Sequence, residues 1–514
     1  MVKLDPSLTA AATALRRVAA NDSLSFDPLP TLATTTLPLD CSNETLWFVC
    51  RRSDSLFVAI EKCLDNGLGA CLLIDDDDHV IGRITLDDLR RAVRDGCMLT
   101  GVRLDHYARV DPGKARQNVG TARSVLGDDA VLEPVLDADG RLISVAIDHS
   151  RRFVQVAKPH LSHREFRAMI DAFLSTWISS KGPHVPEFEQ RFADYTRMRN
   201  AIAVGNGTAA LHLALLALGI SEGDEVVVPD LTFAATINAV LYCGATPVIA
   251  DIDPTSWTLT VEQVARVMTP RTKAIVPVHL YGRPAEIGPL AAFARERGCF
   301  IVEDCAEALG ARYAGSLVGT FGDVSCFSFY ANKIVTTGEG GICLTNSQPT
   351  AQLMMGLRNH GVTSGSDYWH ELVGYNYRMT NPQAAIGTVQ IGQIDRVLQR
   401  NRRLEQSYRE RLAGIPGVVF PPLLPPLYEP VTWLVCVQVP ASARTRLIEC
   451  ARRAEIEIRP FFHPLSELPI YERYARLCHN SLALSRTGVN LPTSDAVDDN
   501  VIEKIRSVFL EALG

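Results

Sequence analysis

Apolar residues follow three different rhythms along the chain. Between about residues 200 and 330, short unbroken apolar runs recur: Ala201–Val204, Val226–Val228, Pro247–Ala250, Ala274–Val278, Phe300–Val302 and Val324–Tyr330. Stretches of helical spacing separate them, as in Ala209–Leu218. Strands alternating with helices predict βαβ units and a mainly parallel sheet. Phe166–Trp177 and Val185–Tyr195 read as helices ahead of this region, with Lys181-Gly182-Pro183 as a breaker, and a helix is expected over Pro382–Leu398. After about residue 396 the order becomes helix Gln399–Ala413, Pro-rich loop Pro421–Pro430, strand Leu434–Val439, helix Ala441–Ala454 and terminal helix Ile502–Leu513, which predicts a smaller α+β unit. Before residue 155 the pattern is helix Leu56–Leu64, strand Ala70–Ile74, acidic turn Asp75–His79, strand Val80–Ile84 and a helix from Thr85. Three domains are therefore expected, over 1–155, 156–395 and 396–514, in an α/β chain. The Ala- and Arg-containing first ~25 residues read as helical.

Polar residues mark where the apolar runs stop. Phe300–Val302 ends in Glu303-Asp304. Val324–Tyr330 ends in Ala331-Asn332-Lys333, followed by Thr336–Gly341, which is too glycine-rich for helix. Asp304 and Lys333 thus both fall just past strand ends, where open α/β sheets place ligands. A crowded, apolar setting disfavours the charged form of a Lys and makes it a usable amine. Pyridoxal phosphate is held through such a Lys, with an acidic residue on its ring nitrogen. Taken singly, Asp304 could cap a helix at Cys305–Leu309 and Lys333 could be a solvated loop residue. The turn Gly205–Thr208 sits between a strand and a helix, so unpaired N–H groups and the helix dipole make it an anion site; it could equally be a tight connection. Ser328, inside an apolar run, needs a hydrogen-bond partner.

Composition narrows the classes. The 514 residues are 47% hydrophobic and 21% charged, as in globular proteins, and the length asks for more than one domain. A net charge of −7 argues against non-specific nucleic-acid binding. No apolar run is long enough to span a bilayer, and residues 1–20 lack the apolar core of a signal peptide. The 13 Cys are odd in number and show no CxxC spacing. They read as reduced, buried thiols in a cytoplasmic protein with no metal site.

The words VEDCAEALGA, GTFGDVSCFSFYANK and TTGEGG, with ISSKGPHVPEFEQRFADY and GYNYRMT, resemble the DegT/DnrJ-type sugar aminotransferases over about residues 160–514. These belong to the fold-type I pyridoxal phosphate enzymes, and the wording is most similar to the family's perosamine-forming branch. The resemblance implies pyridoxal 5′-phosphate bound to Lys333 as a Schiff base, with Asp304 on the ring nitrogen. It implies Gly207, Thr208, Ala209 and Ser328 around the phosphate, Phe233 stacked on the ring and Glu307 near the ring hydroxyl. Asn376 is expected to reach the phosphate of the neighbouring subunit, which makes a homodimer with shared sites. Without the resemblance Phe233 reads as an ordinary core residue, Glu307 as a helix-surface carboxylate and Asn376 as part of a polar loop. The implied reaction moves an amino group from L-glutamate to a nucleotide-linked 4-keto-6-deoxy sugar. GDP-4-keto-6-deoxymannose going to GDP-perosamine, for polysaccharide biosynthesis, is the first choice, and UDP- or dTDP-linked sugars are alternatives. Family members that are sugar dehydrases carry His where this chain has Lys333.

The stretch IGRITLDDLRRAVRDG resembles a CBS domain, and a second, weaker copy follows over Val131–Ile147. In such pairs a Thr and an Asp, here Thr85 and Asp88, touch an adenine nucleotide. The second copy lacks the Thr-x-x-Asp wording. The same two residues also fit a helix capping box, which would leave the unit a packing module. A nucleotide-responsive binding protein is the competing class, and the set Lys333, Asp304, Ser328 and Asn376 argues against it.

Overall fold

The computed structural model describes residues 34–38, 47–95, 104–108, 132–148, 153–362 and 368–514. The helix expected in the first ~25 residues, and Val131 of the second copy, lie outside these.

A seven-stranded sheet forms the centre. Its spatial order is Asn200–Val204, Gly341–Thr345, Val324–Ser328, Phe300–Asp304, Thr272–Ile275, Glu225–Pro229 and Thr246–Ala250. The last five pair in parallel. Gly341–Thr345 runs antiparallel to both of its neighbours, so the sheet is mainly parallel with one reversed strand. Every residue of Glu225–Pro229 and of Gly341–Thr345 is buried, as expected for strands covered on both faces. On one face Phe188 and Phe192 meet Phe327 and Phe329 edge-on, with ring centroids 5.2–5.5 Å apart.

Two local expectations change. Cys305–Leu309 is turn rather than helix, because the Asp304 carboxylate takes the Ala306 N–H and holds the chain in a turn. The helix expected over Pro382–Leu398 is two helices, Asn381–Ile391 and Ile394–Leu412, parted at Gly392-Gln393. Gly392 favours the stop, and the second helix crosses the expected boundary at residue 395.

In the C-terminal region Val435–Gln438, Gly488–Leu491 and Arg459–Pro460 form an antiparallel sheet. Helices Ala441–Arg453, Asp499–Leu513 and Ile394–Leu412 pack on it around one core. Val154 joins this core by bonding to Glu455 O (2.8 Å) and accepting from Glu457 N (2.9 Å).

Among the described residues the N-terminal region holds two three-stranded sheets. One comprises Val49–Arg51, Ala70–Ile74 and Val80–Thr85; the other comprises Thr34–Pro38, Leu142–Asp148 and Leu132–Leu136. Leu72, Ile74 and Val80 share a core with Leu132, Leu142 and Val145. Helix Leu56–Asp65 docks on helix His163–Leu174. Arg167 pairs with Glu61 (2.5 and 3.0 Å), His163 with Asp65 (2.6 Å), and the rings of Phe57 and Phe166 lie 5.2 Å apart. Among the described residues no helix is long and apolar enough to cross a membrane.

Candidate active site

Strand Phe300–Asp304 carries two consecutive carboxylates, and the pleat sends them to opposite faces. Glu303 is fully buried and accepts N–H groups from Gly319 (2.8 Å), Phe321 (2.8 Å) and Gly322 (2.7 Å). His279 Nε2 lies 3.2 Å away, and His279 Nδ1 accepts from Ala285 N. Glu303, His279 and Cys305 are compact enough to resemble a metal-ligand group, but the Glu303 oxygens are spent on backbone. Asp304 faces the other way. Its carboxylate accepts from Thr236 Oγ1 (2.8 Å) and Ala306 N (3.1 Å), and Thr236 is in turn 3.0 Å from Thr232 Oγ1. Burial pushes the Asp304 carboxyl up; Thr236, the Ala306 amide and the Lys333 charge oppose this.

Lys333 lies in the turn after strand Val324–Ser328, its N–H bonded to Tyr330 O. Its side chain is largely buried, with Nζ 3.8 Å from Glu307 Oε1 and 3.9 Å from the centroid of the Trp433 ring. Burial lowers the amine's pKa, while Glu307 and then Asp304 pull it back. Glu307 accepts from Tyr281 N at 2.8 Å. Burial pushes its carboxyl up to about 7 against the pull of Lys333. Tyr281 is buried with φ 50° and ψ 33°, an uncommon state for an aromatic residue. The next residue is Gly282, where a Cβ would come 2.0 Å from Val431 O.

Helix Gly207–Ala217 opens beside strand Val324–Ser328. Asn206 caps it by accepting from Ala209 N at 2.8 Å. A Cβ on Gly207 would meet Ser328 Cβ at 2.8 Å, so only glycine lets the helix start this close to the serine. Gly207, Thr208 and Ser328 are thus brought together at a helix N-terminus, whereas the Ala209 N–H already has an internal partner. Phe233 is not a core residue: it is 59% exposed, its ring 5.9 Å from that of Phe462. Asn376 is exposed between Tyr375 and Tyr377, and its backbone pairs with Asn359. Thr85 and Asp88 sit apart from all of these. Asp88 accepts from Thr85 N (3.0 Å) and Thr85 Oγ1 (2.5 Å) and pairs with Arg91, while Thr85 Oγ1 accepts from Asp88 N (3.2 Å). Sequence reasoning missed Thr236, Tyr281 and Trp433, which reach the site from distant segments and carry no local signal.

Pyridoxal phosphate fits the residues present. A helix N-terminus and Ser328 offer donors to a phosphate, and a buried carboxylate is oriented by two donors. The amine is one that burial drives towards neutrality. Beside it, the buried Asn332 Oδ1 has no hydrogen-bond partner among the described residues.

A buried amine facing carboxylates at the strand ends of a mainly parallel sheet is the setting of an α/β enzyme site. The sequence model of the DegT/DnrJ/EryC1/StrS aminotransferase family matches residues 159–509, and that of the CBS domain matches residues 47–95. The GDP-perosamine synthase of Caulobacter vibrioides is 42% identical over 367 residues, 70% of this chain and 98% of its own length. That of Vibrio cholerae is 40% identical over 357 residues, 68% and 97% of the two chains. The crystal structure of an aminotransferase from Streptoalloteichus hindustanus matches with a TM-score of 0.67 at 29% identity, covering 70% of this chain and 99% of that one. The chain belongs to the DegT/DnrJ/EryC1/StrS aminotransferase family and carries a CBS domain ahead of the family region.

Proposed function

We propose that this enzyme is a pyridoxal phosphate-dependent aminotransferase that converts a nucleotide-linked 4-keto-6-deoxy sugar to the 4-amino sugar, with L-glutamate as donor. GDP-4-keto-6-deoxymannose going to GDP-perosamine is the preferred reaction, on the strength of the two synthases that align over nearly their whole length. The observation that carries the reading is the buried Lys333 amine, 3.8 Å from Glu307 and electrostatically linked to Asp304.

When bound, pyridoxal phosphate supplies an electron sink for a carbon that loses a proton. Lys333 Nζ, lowered in pKa by burial, would take the proton from the donor's α-carbon and hold it for delivery to the cofactor's C4′ carbon. Asp304, oriented by Thr236 and the Ala306 amide, would hold the ring nitrogen through its carboxylate. Gly207, Thr208 and Ser328 would bind the phosphate, with Ala209 contributing through the helix start rather than through its occupied N–H. The exposed Phe233 would cover one face of the ring, and Glu307 would hold its hydroxyl. Asn376 is exposed and serves a second copy's site, so the working unit is a homodimer. At the CBS domain, the closed Thr85–Asp88 capping box supports a packing role for these two residues over direct contact with an adenine nucleotide.

The test is the visible absorption spectrum of the purified chain before and after L-glutamate, with Lys333→Ala alongside. A yellow band that bleaches with glutamate and is altered in the variant is expected. A chain that stays colourless with added pyridoxal phosphate would overturn the reading. GDP-, UDP- and dTDP-linked ketosugars then decide the acceptor by relative kcat/KM.

A further inference from the structure

Trp433 stands over the reactive lysine without a part in the reading above. It comes from the C-terminal region, in the bend just ahead of strand Val435–Gln438. Its backbone is fixed on several sides. Val431 N donates to Gly282 O (3.0 Å), Asn401 Nδ2 to Thr432 O (2.9 Å) and Thr493 Oγ1 to Trp433 O (3.0 Å). The ring is 5% exposed, and Tyr281 stacks beside it at 6.2 Å with planes 21° apart. Its indole Nε1 donates to Asn332 O at 2.6 Å, the carbonyl of the residue before Lys333. The Lys333 ammonium lies over the ring at 3.9 Å.

Two kinds of partner therefore meet one amine. Glu307 and Asp304 are the charged groups facing it, and a carboxylate can take its proton. A π face attracts the cation but cannot accept the proton. Transamination requires Lys333 to be free for part of each cycle and to alternate between neutral amine and ammonium. An ammonium left only to carboxylates would risk losing its proton to them before delivery.

Resting on the assignment of Lys333 as the reactive amine, we propose that Trp433 is a positioning residue. Its ring face parks the freed Lys333 ammonium beside the reacting carbon, and its indole N–H clamps the Asn332–Lys333 turn to the C-terminal region. The C-terminal region thereby contributes to proton transfer.

The experiment compares Trp433→Phe, which keeps a π face and loses the N–H bond, with Trp433→Leu, which keeps an apolar cover and loses both. In cofactor-depleted full-length chain, the pH dependence of Lys333 acylation by an amine reagent is followed by mass spectrometry of the Lys333 peptide. Thermal unfolding confirms that each variant is folded. In Trp433→Leu the midpoint is expected to fall by about one pH unit, and in Trp433→Phe by less than about half a unit. In the loaded enzyme Trp433→Leu should lower kcat about tenfold with the KM for L-glutamate within about twofold. An unmoved or raised midpoint in folded Trp433→Leu overturns the proposal, as does an equal fall in both variants. Lys333→Ala separates the two readings. If it still turns over, the lysine assignment fails; if it is inactive while Trp433→Leu shows no shift, only the Trp433 inference fails.

Discussion

Two clusters in this chain are built from the same three kinds of residue and behave in opposite ways. At the CBS domain, Thr85, Asp88 and a cation, Arg91, satisfy one another. At the strand ends of the large sheet, Thr236, Asp304 and a cation, Lys333, do not close on themselves. Asp304 takes Thr236 and a backbone N–H, but the lysine amine is left with a carboxylate at 3.8 Å and a ring face. In the first cluster the cation reaches solvent, since the Arg91 side chain is half exposed. In the second the cation is buried, and burial shifts the amine down and both acidic partners up. A threonine–carboxylate–cation group is therefore a helix cap when its members complete one another near water. It becomes chemistry when burial leaves the charges incompletely matched.

The comparison is broken most severely by Lys333→Ala. This should lower transamination by about a hundredfold to ten-thousandfold with the fold retained, as checked by steady-state rates and circular dichroism. A variant as active as the parent would put the two clusters on one footing. Gly207→Ala comes next. Its methyl would sit 2.8 Å from Ser328 Cβ, so overpacking should cost about 1–3 kcal/mol and weaken retention of pyridoxal phosphate, read by urea unfolding and cofactor titration.

Glu307→Gln sharpens the contrast through pH. With the carboxyl held up to about 7, the folded chain keeps a proton that the unfolded chain has already lost. Stability contributed by this group is therefore full below its ordinary carboxylate range and is lost as pH rises through about 7. In cofactor-free protein the glutamine variant should gain on the parent by about 1–3 kcal/mol between pH 5 and pH 8. Equal unfolding midpoints at both values would show that Lys333 cancels the shift. The smallest effect belongs to Thr85→Ala. Loss of the cap should cost the CBS domain about 0.5–2 kcal/mol and leave turnover within about twofold. A large fall in turnover would mean that this cluster does more than cap a helix.

Much of this site is legible along the chain because its parts are local. Asp304 and Lys333 end apolar runs, and strand ends in parallel sheets are where ligands meet the fold. Gly205–Thr208 stands between a strand and a helix, which is sufficient for an anion site. Strand Gly341–Thr345 escaped notice because it is short, led by glycine, and pairs on one side with Asn200–Val204, more than a hundred residues earlier. The break at Gly392-Gln393 was hidden because helical spacing continues across it. Phe233 read as a core residue in the absence of the family resemblance, and it is exposed at a helix start.

Taken alone, the order of residues determined the alternation of strands and helices, the family, and the placing of an acid and an amine just past strand ends; that the two strands are neighbours came from the fold. The order of residues placed Glu303 and Asp304 side by side at the end of an apolar run; the structure carries the strand through both, so the pleat sends them to opposite faces. Which of the two faces the lysine was decided only by the tertiary structure, where Gly319, Phe321 and Gly322 claim Glu303. The same is true of the company Lys333 keeps, because Glu307, Tyr281 and Trp433 converge from segments whose distance in sequence hides their contact. The shift of a pKa depends on burial and on charges a few ångströms away, and those are properties of the packed chain.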